Sequence, residues 1–313
     1  MNDGRDRIDE IAGRHLGRDA GGGGRPAYVT PDRHDAGLLV AIPRRLNREG
    51  LGIGGDASPF VGVDVWNCYE VSFLLAGGCP VNLILRLHYP ADSPAIVESK
   101  SLKLYLNSFN MERLGRGGEK EAVDEFLETV RGDLSRCVGA DVAVSHADAC
   151  DWSVPRRDLV RHPDDWRVLE KSVDIASLEC VTDGERPELL RETRHDGPVL
   201  KVRTSVLRSN CRITNQPDWG DLFVLMRGGS LPGADSLLRY VVSMRSENHF
   251  HEEIAETVYV RLADFEPDEL FVACLYTRRG GIDINPVRAS SADLLHRLAD
   301  FRHPQPQKRS PRQ

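Results

Sequence analysis

No apolar run in the 313 residues approaches the ~20 that a membrane-spanning helix needs, and residues 1–24, MNDGRDRIDEIAGRHLGRDAGGGG, lack the apolar core of a signal peptide. The expectation is a soluble, cytoplasmic protein with no membrane partner. There is no CxxC and no paired CxxC/HxxxH set. The seven cysteines, at 68, 79, 137, 150, 180, 211 and 274, are odd in number and scattered, which argues against both a zinc site and a disulfide framework. No GxGxxG or GxxxxGK[ST] stands between a strand and a helix, so a Rossmann or P-loop site is disfavoured, and HExxH is absent. An excess of one charge is missing too. The 41 Lys and Arg against 48 Asp and Glu give −7, interspersed along the chain. No nucleic acid is expected to bind directly, although a local basic pocket could still take a small charged ligand.

What is present is ordinary globular material, 40% hydrophobic and 28% charged, enough for one large domain or two modest ones. Residues 1–25, ending in four glycines, and 303–313 lack the apolar content that offsets the entropy of ordering, so two disordered tails are expected. Between them the hydrophobic period changes repeatedly. Residues 61–76 and 81–89 read as a hairpin broken at Gly77-Gly78. Residues 119–134 carry Val123, Phe126, Leu127, Val130 and Leu134 at helical spacing, and 140–146 alternates as a strand. After an irregular middle at 150–200, residues 221–228 read as a strand, 237–264 as one long amphipathic helical region, and 270–279 as an apolar strand closed by GGIDINP. The order predicts an α+β fold with a duplicated unit, an N-terminal module over 26–175 and a C-terminal module over 176–302.

Chemistry concentrates in a few stretches. In LRSNCRITNQPDWGD (207–221), Cys211 lies among polar residues beside Arg212, a setting that can depress a thiol pKa, whereas the other six cysteines read as small buried hydrophobes. Packing and nucleophilic catalysis both remain open for Cys211. Pro-Asp-Trp-Gly reads first as a turn, which would also bring Asp218 back toward Cys211; fully extended, seven residues span about 23 Å. In IVESKSLKLYLNSFN (96–110), Glu98, Lys100 and Lys103 flank Ser99 and Ser101, and a solvated strand edge would look the same. ENHFHEE (247–253) gathers His249, His251, Glu252 and Glu253 at a helix start; its HxH spacing is a weak metal signal, and no metal is expected. TRRGG (277–281) offers two guanidiniums before a flexible loop, suited to a phosphate or to a strand end.

Taken in order, IPRRLNREGLGI, VESKSLKLYLNSFN, SNCRITNQPDWG, the FHE of ENHFHEE and YTRRGGIDINP resemble the long, two-module form of the 7-cyano-7-deazaguanine reductases, NADPH-dependent nitrile reductases of queuosine biosynthesis, over residues 37–290. The resemblance implies a duplicated tunnelling fold, each module an antiparallel sheet with two helices, in a homodimer. It implies Cys211 as nucleophile, Asp218 as acid, and Val97, Glu98, Ser99, His251 and Glu252 at the substrate. Ser99, Lys100, Arg279 and Gly280 are implied at NADPH. The residue before Phe250, commonly acidic in the family, is His249 here. A thiolate adding to the nitrile carbon would make it a better hydride acceptor, and Asp218 would protonate the nitrogen. The rival within the same fold class is a cyclohydrolase-like pterin or purine enzyme, which needs a Cys/His zinc set that the sequence does not assemble.

Overall fold

The computed structural model describes residues 31, 33–54, 58–148, 166–193 and 197–302. Both expected tails and Cys150 lie outside the described residues. The chain divides into two compact units interleaved in sequence. One holds the described residues up to 54 with 66–148 and 278–283; the other holds those from 58–65, 166–277 and 284–302.

The first unit contains most of β1 (Val61–Leu75), then β2 (Pro80–Pro90), α1 (Ser99–Asn107), α2 (Glu119–Val138) and β3 (Ala143–Asp148), with the strands in the order β3-β2-β1. Strand β2 alternates without a break: Val81, Leu83, Leu85, Leu87 and Tyr89 are buried and their neighbours are not, the two-residue period of a half-covered sheet. Helix α2 buries Val123, Phe126, Val130, Leu134 and Val138 at helical spacing and stops at Gly139, whose φ of 72° suits glycine. Phe126 stacks on Phe73 of β1 with centroids 5.1 Å apart.

The second unit contains β4 (Val199–Thr204), β5 (Arg208–Asn210), β6 (Pro217–Arg227), α3 (Ala234–Ser243), α4 (His251–Ala263), β7 (Glu269–Tyr276) and most of β8 (Ile282–Ala289), ordered β8-β7-β6-β4. Its core is aromatic, with Trp166, Phe223, Phe271 and Phe301 packed on Val63 and Val287. Arg288 on β8 is fully buried between Asp64 (2.7 Å) and Glu256 of α4 (2.8 Å), so its charge is matched within the core. Two helices follow a strand pair in both units, which is the α+β repeat expected from the order of elements. Among the described residues no helix is long and apolar enough to cross a membrane.

Several expectations need correction. The helical region at 237–264 is two helices, separated by a 3-10 turn at Met244–Ser246 and extended backbone at Glu247 and Phe250. IDINP is not a closing turn but the start of β8, all eight residues of which are buried. Pro286 lacks an N–H for the ladder, and the pairing of β8 with β7 runs only over Val287–Ala289. Residues 99–107 are no strand edge, since they form α1; only 96 and 97 end a short strand. Pro-Asp-Trp-Gly is not the turn; it opens β6, and the turn is the preceding segment 211–216. Finally, Cys79 and Cys180 are exposed rather than packed.

Candidate active site

Strands β5 and β6 form a short antiparallel ribbon in which Pro217 faces Asn210, Asp218 faces Ser209 and Trp219 faces Arg208. The loop between them is tied at its base by Cys211 N–H to Gln216 O (2.8 Å) and by Asn215 N–H to Cys211 O (2.9 Å). Asn215 takes the left-handed φ of 54° that this closure demands, a conformation asparagine tolerates. Side chains on one strand alternate, and directly paired residues share a face. Ser209 and Asp218 therefore fall on one side of the ribbon, and both are buried, as is Cys211 where the loop begins.

Helix α4 begins beside that ribbon because the backbone clamps it there. Asn210 N–H donates to Glu247 O (2.7 Å), and His249 N–H donates to Asn210 O (3.2 Å). This brings His251 Nε2 to 3.4 Å from Asp218 Oδ2. The His251 ring lies flat on Tyr276 at the end of β7, with centroids 3.7 Å apart and planes 12° off parallel. Gly220 faces Tyr276 across β6 and β7, and a Cβ there would come within 3.2 Å of both the Tyr276 ring and the Leu275 carbonyl. His251 Nδ1 is buried with no hydrogen-bond partner among the described residues. Glu252, the next residue, is buried in the first turn of α4, where the positive end of the helix dipole favours a carboxylate. Burial pushes the Tyr276 hydroxyl well above its ordinary range, and the charges of Asp218 and Glu252 act in the same direction. Asp218, His251, Glu252 and Tyr276 thus belong to one cluster in the second unit, with buried Cys211 at the end of the ribbon that carries Asp218.

The remaining expected residues lie in the first unit. Val97 is buried in a short strand paired with Ala41. Glu98, fully buried, is the N-cap of α1: its Oε2 accepts from Ser101 N–H at 2.7 Å, while burial raises its pKa against the pull of those backbone bonds. Ser99 and Lys100, both half-buried, open that helix. Arg279 closes a tight turn with Ile282, bonded N–H to O in both directions, and Gly280 and Gly281 between them hold φ of 58° and 80°. A Cβ on Gly280 would sit 3.4 Å from Lys103 Nζ, and one on Gly281 would collide with Glu70, so the glycine pair lets this loop lie against the Lys103–Glu70 pair (3.2 Å).

Tyr276 and Lys103 were not among the site residues expected from the sequence. Tyr276 sits in an apolar run that reads as core, and Lys103 differs from Lys100 only in helical phase, which the strand-edge reading of 96–110 hides. The buried cysteines outside the cluster differ from Cys211 in their surroundings. Burial pushes the Cys274 thiol up to about 12, against the pull of Arg288, and raises Cys68 further, with Asp283 adding to the effect. Among the described residues no three of His, Cys, Asp and Glu converge as a metal-ligand set.

A repeated unit of antiparallel strands and two helices, with a buried glutamate at a helix start in each, agrees with the tunnelling fold that the sequence resemblance implies. Two family profiles match it: one described as nitrile reductase, 7-cyano-7-deazaguanine-reductase N-term, over residues 30–146, and one described as QueF-like protein, over 217–293. The NADPH-dependent 7-cyano-7-deazaguanine reductase of Chromohalobacter salexigens is 40% identical over 264 residues, 84% of this chain and 89% of that protein. Proteins of the same name from Hahella chejuensis (40% over 278 residues; 88% and 93%) and Acidovorax ebreus (37% over 271; 86% and 93%) are similar throughout. The chain belongs to the 7-cyano-7-deazaguanine reductase family.

Proposed function

We propose that this chain reduces the nitrile of 7-cyano-7-deazaguanine to the primary amine with NADPH, as a cytoplasmic homodimer acting on the free base with no nucleic acid bound, and that Cys211 is its nucleophile. The observation that carries the reading is the β5–β6 ribbon, which holds the buried carboxyl group of Asp218 3.4 Å from His251 and has the buried Cys211 at its end. Two modules, 26–175 and 176–302, are proposed, and each family profile falls within one of them.

A nitrile carbon is a weak hydride acceptor. The Cys211 thiolate adds to it, forming a C–S bond as one C≡N π bond opens, and the electron pair released on nitrogen takes a proton from Asp218. The product is a thioimide on Cys211. NADPH supplies hydride when bound, two equivalents for each nitrile reduced. Between the two reductions Cys211 leaves as thiolate, since sulfur departs more readily than nitrogen, and the C=N bond that remains is reduced in turn. His251 Nε2, 3.4 Å from Asp218 Oδ2, would return a second proton to Asp218 after the first has gone to nitrogen, and that proton serves the reduction of the C=N bond. Glu252 suits the ring N–H and amino donors of a guanine-like base, and a base lacking those donors would leave a buried acceptor unpaired; Glu98 of the first unit is a buried carboxylate suited to the same kind of donor.

The residues of the first unit fit a dinucleotide phosphate. Lys103 and the guanidinium-bearing turn at 278–281 meet at two glycines that leave no side chain in the way. Lys100, Ser99, Arg279 and Gly280 would hold it. The test is nitrile-dependent oxidation of NADPH: the account expects two NADPH consumed per amine formed and a strong preference over NADH. Absence of nitrile-dependent turnover would overturn it.

A further inference from the structure

The stretch just before α4 carries a partly buried charge cluster that the chemistry above does not use. Glu253 Oε2, in the first turn of α4, accepts three hydrogen bonds, from Phe250 N–H (3.1 Å), from His249 Nδ1 (2.9 Å) and from Arg212 Nη1 (3.2 Å). The other ring nitrogen of His249 bonds Glu247 Oε2 at 3.0 Å, and Glu247 Oε1 accepts from Glu185 N–H at 2.9 Å. The Glu185 carboxylate is itself occupied by Arg261 and the Tyr240 hydroxyl. His249 therefore faces Glu247 from its own segment and Glu253 from α4. Arg212 reaches it from the Cys211 loop through Glu253, and Glu185 from the segment before β4 through Glu247.

The sequence positions matter as much as the distances. Arg212 follows Cys211 directly, His249 stands two residues before His251, and the same segment is bonded through its backbone to Asn210. An imidazole that bonds a carboxylate at each nitrogen donates at both, which only the charged form can do. Burial alone would lower the His249 pKa, but its bonds to Glu247 and Glu253 outweigh this and raise it to about 9. Without the cation two carboxylates would face each other with little solvent between them.

We propose that His249, as an imidazolium bridging Glu247 and Glu253, is a positioning residue that holds the start of α4, with His251 and Glu252, against the Cys211 hairpin. The inference rests on the reading of Cys211 given above. It leaves His249 outside the reaction itself and makes the geometry around Asp218 depend on its charge.

The test compares the full-length wild type with His249→Gln in the rate at which nitrile is captured without NADPH, from pH 7 to 10. The variant is expected to be about tenfold slower at pH 7.5, the scale of a small misplacement of reacting groups. The ratio of variant to wild type should then climb toward one above pH 9, where the wild type loses the same charge; titrations common to both proteins cancel in the ratio. A ratio that stays constant with pH would make His249 merely structural and overturn the proposal. If His249→Gln does not fold, Glu247→Gln carries the test. Removing one carboxylate lowers the His249 pKa, so the alkaline loss should begin at lower pH than in the wild type, and an unmoved midpoint contradicts the proposal. If the wild type captures no nitrile at any pH, the Cys211 reading has failed instead. Hydrogen exchange at 247–253 then decides on His249: protection lost above pH 9 supports it, and protection unchanged overturns it.

Discussion

His251 owes its place to two residues that have no part in the proposed chemistry. Tyr276 gives the imidazole a flat surface 3.7 Å away, and Gly220, directly across the sheet, leaves room for that ring. A methyl at 220 would lie at 3.2 Å from both the ring and the Leu275 carbonyl, tighter than packing normally allows, and the carbonyl is fixed by the β6–β7 ladder. The ring must give way. Gly220→Ala should therefore keep its fold, lose on the order of 1–3 kcal/mol of stability from overpacking, and lose turnover out of proportion to that. Thermal melting measured beside kcat on the same preparation checks it: a normal kcat would show that the Tyr276 stack does not set the position of His251. At this scale the sequence was legible where residue types are rare in combination. A cysteine among polar neighbours, an acid after proline and a histidine paired with glutamate could all be picked out. Tyr276 could not be, because an aromatic in an apolar run is indistinguishable from core until its neighbour across the sheet is known. Nor could the groups behind the two partners of His249, since Glu253 is also held by Arg212, 41 residues from it, and Glu247 by the Glu185 N–H, 62 residues from it.

Helix α4 is the element on which the site turns, and it is fixed at both faces. Its start is clamped to Asn210 by backbone bonds, while one turn beyond Glu252 its Glu256 meets the fully buried Arg288 between β8 and Asp64. Replacing Arg288 by Met would leave Asp64 and Glu256 as buried carboxylates without their common cation, at a cost of about 3–5 kcal/mol. Urea titration should place Arg288→Met lower by that amount, and exchanging Asp64 and Glu256 for apolar residues as well should recover much of it. Recovery absent in the triple variant would mean that Arg288 acts through shape rather than charge. The hairpin β1–β2 and helix α2 were legible because their periods of 2 and 3.6 run long enough to be counted. Strand β8 was hidden by the Gly-Gly before it and the proline within it, both of which normally mark a break. The gap between α3 and α4 was hidden for the opposite reason: the amphipathic pattern continues through ENHF, and only the clamp to Asn210 interrupts the helix. In short α1, SKSLKLYLN, the leucines at 102, 104 and 106 repeat every second residue, a period that a strand edge shares.

For the whole molecule, the absence of recognisable cofactor motifs in the sequence follows from how the fold works. The candidate groups are contributed by widely separated segments: Glu98 and Lys103 on one helix, the glycine turn at 280–281 far along the chain, and the cysteine ribbon between them in sequence. A local pattern search finds none of this, whereas five short motifs in fixed order do, and the similarity to curated reductases extends over more than four-fifths of the chain. The central claim is that Cys211 forms a covalent bond to the nitrile carbon before any hydride is transferred. Intact-mass spectrometry of the full chain incubated with the nitrile and no NADPH tests it most directly. The account predicts a gain of one substrate mass, mapped by peptide analysis to Cys211, absent in Cys211→Ala and much slower to form in Asp218→Asn; an adduct that persists in Cys211→Ala, or that maps to Cys68 or Cys274, would contradict it.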